Sequence, residues 1–172
     1  MPSSRPELEA LRLGGTAEPW ERLGFATDQP VGGVRLVFEG GEPGLNGWVL
    51  GTPSAERPRH PNGITGIDHV VGITSDFDAT VERLTADGFD HRRTRDAGDG
   101  RRQAFFVLGP CLLELAGPVE GAGELDLWGI TFVGDDLERF GTPKDAVQPG
   151  RRIVTVKRDA RLGFPVAVMN PR

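Results

Sequence analysis

The chain has 172 residues, 37% of them hydrophobic and 26% charged, which is typical of a globular protein and not of a disordered or fibrous one. Its formal net charge of −5 argues against a nucleic-acid partner, because binding to a phosphate backbone requires a basic surface. No stretch approaches the roughly 20 consecutive apolar residues of a membrane span, and the N-terminus lacks the apolar core of a signal peptide. We therefore expect a soluble, cytoplasmic protein without a membrane partner. Cys111 is the only cysteine, so no internal disulfide is expected.

Three segments share one local pattern, in which an apolar residue, Glu, Arg and a second apolar residue are followed by a glycine. The pattern occurs in residues 20–25, 81–89 and 137–141. Glycine adopts the left-handed conformation that closes a helix at the lowest cost, so each segment is interpreted as a helix end. The repetition predicts that the chain is assembled from related strand–helix–strand units.

The first unit precedes a linker. Short apolar runs predict strands at residues 34–38 and 47–50. The following segment, 52–62, is polar and contains three prolines, which is typical of a linker. The predicted organisation is therefore a partial module in residues 1–51, a linker in 52–63 and a paired-module domain in 64–172.

The two later units are more complete. In the first of them a strand at 67–74 leads to a helix that begins at the N-cap Asp76 and presents Phe77, Val81 and Leu84 at amphipathic spacing. Further strands are predicted at residues 103–108 and 111–115, and in the last unit at 127–133, 153–157 and 166–169. Asp136 is expected to cap the helix of that unit. Each unit thus follows a β-α-β-β-β order.

Residues 66–71 (GIDHVV), the helix after Asp76 and residues 112–115 (LLEL) resemble the vicinal oxygen chelate superfamily, which includes glyoxalase I, bleomycin-resistance proteins and extradiol dioxygenases. The resemblance is strongest over residues 64–118 and extends over 127–171. It implies an α+β fold in which paired β-α-β-β-β modules form a curved mixed sheet around a cleft.

The resemblance also implies half of a metal site. His69 matches the first-strand ligand of one module and Glu114 its last-strand ligand, and imidazole and carboxylate bind Zn, Mn, Fe or Ni well. In the other module Gly129 and Ala167 fall at the matching positions, and neither has a side-chain donor. Further donors are conceivable at three positions: Asp68, Gln103 and Thr131.

Three roles remain open for His69 and Glu114: metal ligation, metal-free acid–base chemistry in which Glu114 orients His69, and a polar pair that only binds or is vestigial. Because alternate strand residues face opposite sides, either Phe105 or Phe106 lines the cleft. We predict that a small organic molecule contacts four residues: His69, Gln103, Phe105 and Glu114.

The leading functional hypothesis is a small-molecule-binding protein of the glyoxalase and bleomycin-resistance type with an incomplete metal site. The alternative is a metal-dependent lyase, isomerase or dioxygenase that uses His69 and Glu114 as ligands. A third class is an interaction protein whose modules serve dimerisation. We also expect a homodimer, because an odd partial module leaves a sheet edge to be covered.

Several conspicuous residues have ordinary structural interpretations. Trp20, Trp48 and Trp128 are expected to pack in the core, whereas His60 and His91 are expected to be solvated. The arginine-rich residues 91–95, followed by 101–102, are interpreted as an exposed hairpin and not as an anion site.

Overall fold

The computed structural model describes residues 4–172, which form two β-sheets and two α-helices. The N-terminal unit comprises β1 (Leu8–Gly15), α1 (Glu18–Arg22), β2 (Arg35–Phe38) and β3 (Gly40–Leu50). The middle module comprises β4 (Ile64–Ile73), α2 (Phe77–Ala86), β5 (Asp90–Gly98), β6 (Arg101–Leu108) and β7 (Cys111–Gly117). The C-terminal module comprises β8 (Asp126–Gly134), β9 (Lys144–Asp145), β10 (Arg152–Thr155), β11 (Val166–Met169) and the 3-10 helices Leu137–Arg139 and Arg158–Ala160. None of the helices in this range is long and apolar enough to cross a membrane.

The middle and C-terminal modules share one mixed sheet of eight strands, in the order β5-β6-β7-β4-β8-β11-β10-β9. At its centre β4 and β8 run antiparallel, and each lies parallel to the last strand of its own module, β7 or β11. The two modules therefore repeat one topology about the junction of β4 and β8. The predicted fold class, an α+β protein with a curved mixed sheet of paired modules, is confirmed.

The N-terminal unit forms a separate sheet of three strands in the order β2-β1-β3. Its first strand lies between a parallel and an antiparallel neighbour. That arrangement reproduces the surroundings of β4, which lies between the parallel β7 and the antiparallel β8. The short unit thus has the central topology of a module without the outer strands.

The helix α2 forms where capping and apolar spacing agree. The Asp76 carboxylate accepts a hydrogen bond from the Ala79 amide at 3.1 Å, which satisfies a free donor of the first turn. Phe77 and Leu84 are buried against the sheet. The chain leaves the helix through Gly88 at a φ of +90°, a conformation that glycine adopts without strain. This predicted helix is confirmed.

The corresponding helix of the C-terminal module is reduced to the single 3-10 turn Leu137–Arg139, so the expected full helix is wrong. Asp136 makes no side-chain capping hydrogen bond. The N-terminal unit covers the exposed sheet face instead: Trp20 and Phe25 pack on Phe132, with ring centroids 6.0 and 5.1 Å away. Packing by another unit replaces the helix that the repeat predicts.

Segment 52–63 contacts the N-terminal unit through His60, and the expectation that His60 is solvated is wrong. His60 is only 1% exposed. Its Nδ1 accepts a hydrogen bond from the Ala26 amide at 3.1 Å, and its Nε2 lies 2.9 Å from the Pro30 carbonyl oxygen. The ring therefore supplies both a donor and an acceptor to backbone groups that would otherwise be buried without partners.

Candidate functional site

The candidate site begins at a bulge in β4. Ile67 pairs with Phe132 of β8 and His69 pairs with Thr131, so the intervening Asp68 is the extra residue. A bulge of this kind re-aims neighbouring side chains. After it, Val70 is fully buried, and His69 alternates to the opposite face of the sheet.

Glu114 reaches the same place from β7. Leu113 and Leu115 on either side of it are fully buried, which leaves Glu114 on the opposite, partly exposed face. Because β7 runs beside β4, His69 Nε2 lies 3.3 Å from Glu114 Oε2. The structure therefore brings the two predicted site residues together.

A continuous series of polar contacts extends from this pair in both directions. Arg151 Nη1 lies 3.0 Å from Asp68 Oδ1, and Asp68 Oδ2 lies 2.8 Å from His69 Nδ1. On the other side, Gln103 Nε2 donates to Glu114 Oε1 at 2.7 Å, and Arg95 Nε donates to Gln103 Oε1 at 2.5 Å. We call this series the polar chain; its members in order are Arg151, Asp68, His69, Glu114, Gln103 and Arg95.

The polar chain fixes how His69 presents its ring. A carboxylate only accepts hydrogen bonds, so the contact with Asp68 places a proton on Nδ1 of the imidazole. Nε2 faces the Glu114 carboxylate and the cleft. As the Nδ1–H tautomer, His69 would use Nε2 to take a proton from a bound molecule or to bind a metal ion, and Asp68 would be the orienting partner behind it.

Asp68 is charged because the Arg151 guanidinium and the ring N–H of His69 both contact it. Burial alone would raise the pKa of its carboxyl group, but the hydrogen bond and charge of His69 and the adjacent Arg151 together lower that pKa below its ordinary value. The side chains of Asp68 and Arg151 are only 8% and 7% exposed. Arg151 also bonds the Gln148 side chain and the Asn170 carbonyl, whereas its buried Nε has no partner in the described residues.

The arginine-rich hairpin contributes more than a solvated surface. Residues Asp90–Gly98 form β5 and are mostly exposed, as expected. Arg95, however, bonds Gln103, and the guanidinium groups of Arg93 and Arg95 lie 4.6 and 5.7 Å from the centre of the Phe105 ring. These distances are in the range of cation–π interactions. The predicted exposed hairpin is present, and Arg95 in addition contacts Gln103 and Phe105.

Phe105 and Phe106 occupy opposite faces of β6, as the alternation predicts. Phe106 is fully buried and packs on Phe89 with ring centroids 6.3 Å apart. Phe105 lines the cleft beside Gln103. The four predicted ligand contacts, His69, Gln103, Phe105 and Glu114, thus line one cavity.

The cleft has a volume of about 420 Å³. The polar chain lies on one side through His69, Glu114, Gln103 and Arg95. Residues of the C-terminal module close the other side, among them Lys144, Ile153 and Met169. The volume falls within the usual range for small-molecule pockets, about 300–1,000 Å³.

Two side chains of the cleft suit a divalent metal. The 3.3 Å between His69 Nε2 and Glu114 Oε2 would let both bind one ion at ordinary bond lengths, with Asp68 holding the ring from behind. Catalytic zinc sites generally use three protein ligands. Within residues 4–172 no group of three or more His, Cys, Asp and Glu side chains is placed to hold a metal ion. The residues therefore fit half of a metal site and not a complete one.

Strand register explains why the C-terminal module supplies no metal ligands that match His69 and Glu114. Val71 pairs with Glu114 between β4 and β7, and Thr131 pairs with Ala167 between β8 and β11. If Val71 corresponds to Thr131, then His69 corresponds to Gly129 and Glu114 to Ala167. This is the correspondence that the sequence predicted, and neither residue offers a side-chain donor. A Cβ at Gly129 would also lie 2.9 Å from the Pro165 carbonyl oxygen, so a larger residue does not fit without a backbone shift.

Cys111 lies at the start of β7 but has no part in the cleft. It is 5% exposed, and burial, followed by the nearby charge of Asp68, raises the pKa of its thiol to about 12. A neutral, buried thiol is a poor nucleophile. Its predicted assignment as a packed residue is confirmed.

No protein-family model matches the sequence, and no curated protein matches it significantly. Among solved structures, methylmalonyl-CoA epimerase from Mycobacterium tuberculosis is 16% identical, with a TM-score of 0.49 over 63% of this chain and 89% of that chain. A Streptomyces coelicolor methylmalonyl-CoA epimerase variant in complex with 2-nitronate-propionyl-CoA is 22% identical, with a TM-score of 0.47 over 62% of this chain and 97% of that chain. The strand order, two modules joined first strand to first strand, is that of the α+β fold with paired modules that the sequence predicts.

Proposed function

We propose that the chain is a small-molecule-binding protein of the glyoxalase and bleomycin-resistance type, with an incomplete metal site. The observation that carries this proposal is the polar chain at the wall of the cleft. It presents His69, Gln103 and Glu114 to one cavity and holds them in place, through the buried Asp68 and Arg151 at one end and through Arg95 at the other. Groups fixed in this way can orient a ligand at a small cost in conformational entropy.

The lining of the cleft indicates the kind of ligand. Phe105, Ile153 and Met169 offer apolar and polarisable surface, and Arg95 and Lys144 offer positive charge beside the acidic Glu114 and Asp145. Arg95 uses Nε to bond Gln103, so its terminal nitrogens can form paired hydrogen bonds with a carboxylate. A small organic acid with an apolar body, placed against Phe105, satisfies both features.

A second candidate function is a metal-dependent lyase, isomerase or dioxygenase. The separation of 3.3 Å between His69 Nε2 and Glu114 Oε2 favours it, because that spacing suits two ligands of one ion. In this case Zn, Mn, Fe or Ni would supply Lewis-acid chemistry, and water or the substrate would have to complete the coordination. Metal analysis of the purified protein distinguishes the two candidates: stoichiometric, tightly held metal supports the enzyme.

The binding proposal is tested by a thermal-shift screen of chelator-treated protein against small organic acids. A ligand at 100 times its Kd stabilises a folded protein by about 2.7 kcal/mol, which is readily measured. Compounds that raise the Tm of the wild type should lose that effect with His69→Ala and keep it with His91→Ala, a matched histidine outside the cleft. Shifts that His69→Ala leaves unchanged would count against the cleft.

We further propose that the protein is a cytoplasmic homodimer. In each chain, residues 1–51 form a partial module, 52–63 a linker and 64–172 a paired-module domain. The support for dimerisation is β3, an edge strand of 11 residues in the small sheet that ends in the exposed Val49 and Leu50. Edges of this kind are commonly covered by another chain. Light scattering at micromolar concentration should give twice the 18.6 kDa chain mass, and a monomer mass would refute the dimer.

A further inference from the structure

A second pocket, of about 700 Å³, lies between the N-terminal unit and the C-terminal module. Glu42 and Pro43 of β3 form one side of it. The segment that connects β10 to β11 forms the other side, together with Trp128 of β8. This pocket shares no lining residue with the cleft of the polar chain. Junctions between units are favoured places for ligand sites.

The surface of this second pocket contains an exposed tryptophan. Trp128 is 49% exposed, so its expected place in the core is wrong, whereas Trp20 is only 2% exposed. Phe164, Pro165 and Leu162 line the pocket beside it. A large aromatic side chain left open in an apolar recess offers a flat surface for stacking.

The rim of the second pocket is positively charged. Lys157, Arg158 and Arg161 line it, and Glu42 is the one acidic side chain among the lining residues. Within residues 4–172 none of the three cations forms a salt bridge. The chain as a whole has a net charge of −5, so this local excess of positive charge is opposite in sign to the net charge of the protein.

The connecting segment is held in one conformation. Arg161 has a φ of +58°, in the left-handed region that costs energy for a residue with a side chain. Two residues later, Gly163 has a φ of +86° and packs so tightly that a Cβ there would lie 2.3 Å from the Pro43 carbonyl oxygen. The contact with Pro43 thus constrains the turn that carries the arginines.

We propose that the second pocket binds an organic anion with a flat aromatic body and one acidic group. The aromatic body lies on Trp128, and the acidic group, a carboxylate, sulfonate or phosphate, pairs with Arg158 and Arg161. Guanidinium groups suit all three anions because their donors are arranged as a planar fork. The site is separate from the cleft, so its occupation is independent of His69.

The test uses the fluorescent probe 8-anilinonaphthalene-1-sulfonate, with N-phenyl-1-naphthylamine as a matched probe that lacks the sulfonate. The double variant Arg158→Gln/Arg161→Asn removes two charges, and asparagine tolerates the left-handed backbone at the second position. Arg22→Gln/Arg101→Gln removes two exposed charges elsewhere. Trp128→Phe keeps an aromatic surface but removes energy transfer from that tryptophan to the probe.

The sulfonate probe should bind the wild type saturably, and the pocket double variant should weaken it about tenfold or more, since charge-assisted hydrogen bonds are lost. The control double variant should bind as the wild type does. The uncharged probe should bind more weakly and respond little to the arginine changes. Equal sulfonate affinity in the wild type and the pocket variant, or no saturable binding, would overturn the proposal, with circular dichroism confirming that each variant is folded.

Discussion

Removal of the Asp68 charge should destabilise the protein strongly, because Arg151 would remain as an unpaired buried cation. The two groups are 3.0 Å apart and less than one-tenth exposed. At an effective dielectric constant of about 20, two unit charges at that distance attract by about 5.5 kcal/mol. Desolvation offsets much of this gain, but removal of one partner of a buried pair costs about 3–5 kcal/mol. We expect Asp68→Asn to fall at the lower end, since its amide keeps the shape and part of the hydrogen bonding.

A double-mutant cycle measured by urea unfolding tests this reasoning. Asp68→Asn and Arg151→Met should each lower the free energy of unfolding, whereas the double variant should lose less than their sum by about 2–3 kcal/mol. Asp78→Asn breaks the exposed ion pair with Arg102 and is the control, with little effect expected. Strictly additive effects of Asp68→Asn and Arg151→Met would refute the idea that the two charges depend on each other.

The remaining predictions concern acidity, the cleft, metal and the thiol. Because the pKa of Asp68 is lower in the folded state, its carboxylate stabilises the fold fully above the ordinary pKa of 3.8, and this stabilisation is lost as the pH falls through the lower folded pKa. The difference in unfolding free energy between the wild type and Asp68→Asn should therefore narrow at acidic pH. A difference that stays constant with pH would contradict this. His69→Ala and Glu114→Ala should impair ligand or metal binding more than folding, whereas Leu113→Ala should lose about 2–5 kcal/mol in urea unfolding; equal losses for all three would refute the distinction. A chelator should remove any divalent metal without changing the circular dichroism spectrum, because two protein ligands hold it weakly, and unfolding on metal removal would be the contrary result. A thiol reagent at pH 8 should leave Cys111 unmodified until urea is added, and rapid labelling of the native protein would contradict its burial.

Elements could be predicted from the sequence where capping residues and apolar spacing agree with the face that is buried in the fold. Asp76 caps α2 and the apolar spacing matches the buried face, so this helix forms where expected. The bounds of β5 are not evident beyond the predicted exposed hairpin, because its residues are mostly exposed on both faces and only pairing with β6 makes it a strand. The sequence does not predict β1, since LEALRLGG has no simple alternation and its burial comes from two neighbouring strands.

The same division applies to the site. His69 and Glu114 could be predicted because each interrupts a buried apolar strand and resembles a superfamily ligand. Arg151 could not, because its contact with Asp68 is made across the fold and leaves no local pattern. Arg95 had a weak signal, its place on a strand that pairs with Gln103, but that register is set by the hairpin and is not evident from composition.

The most direct test of the central claim is calorimetric titration of a screened organic acid into chelator-treated protein, with and without one equivalent of Zn²⁺. If the cleft binds its ligand through the polar chain without a complete metal site, the affinity should be the same in both titrations. It should also fall about tenfold or more in Arg95→Gln, which removes the guanidinium that pairs with the ligand carboxylate, and remain unchanged in the exposed control Arg101→Gln. Binding that occurs only after the addition of Zn²⁺ would contradict this account and favour the metal-dependent enzyme.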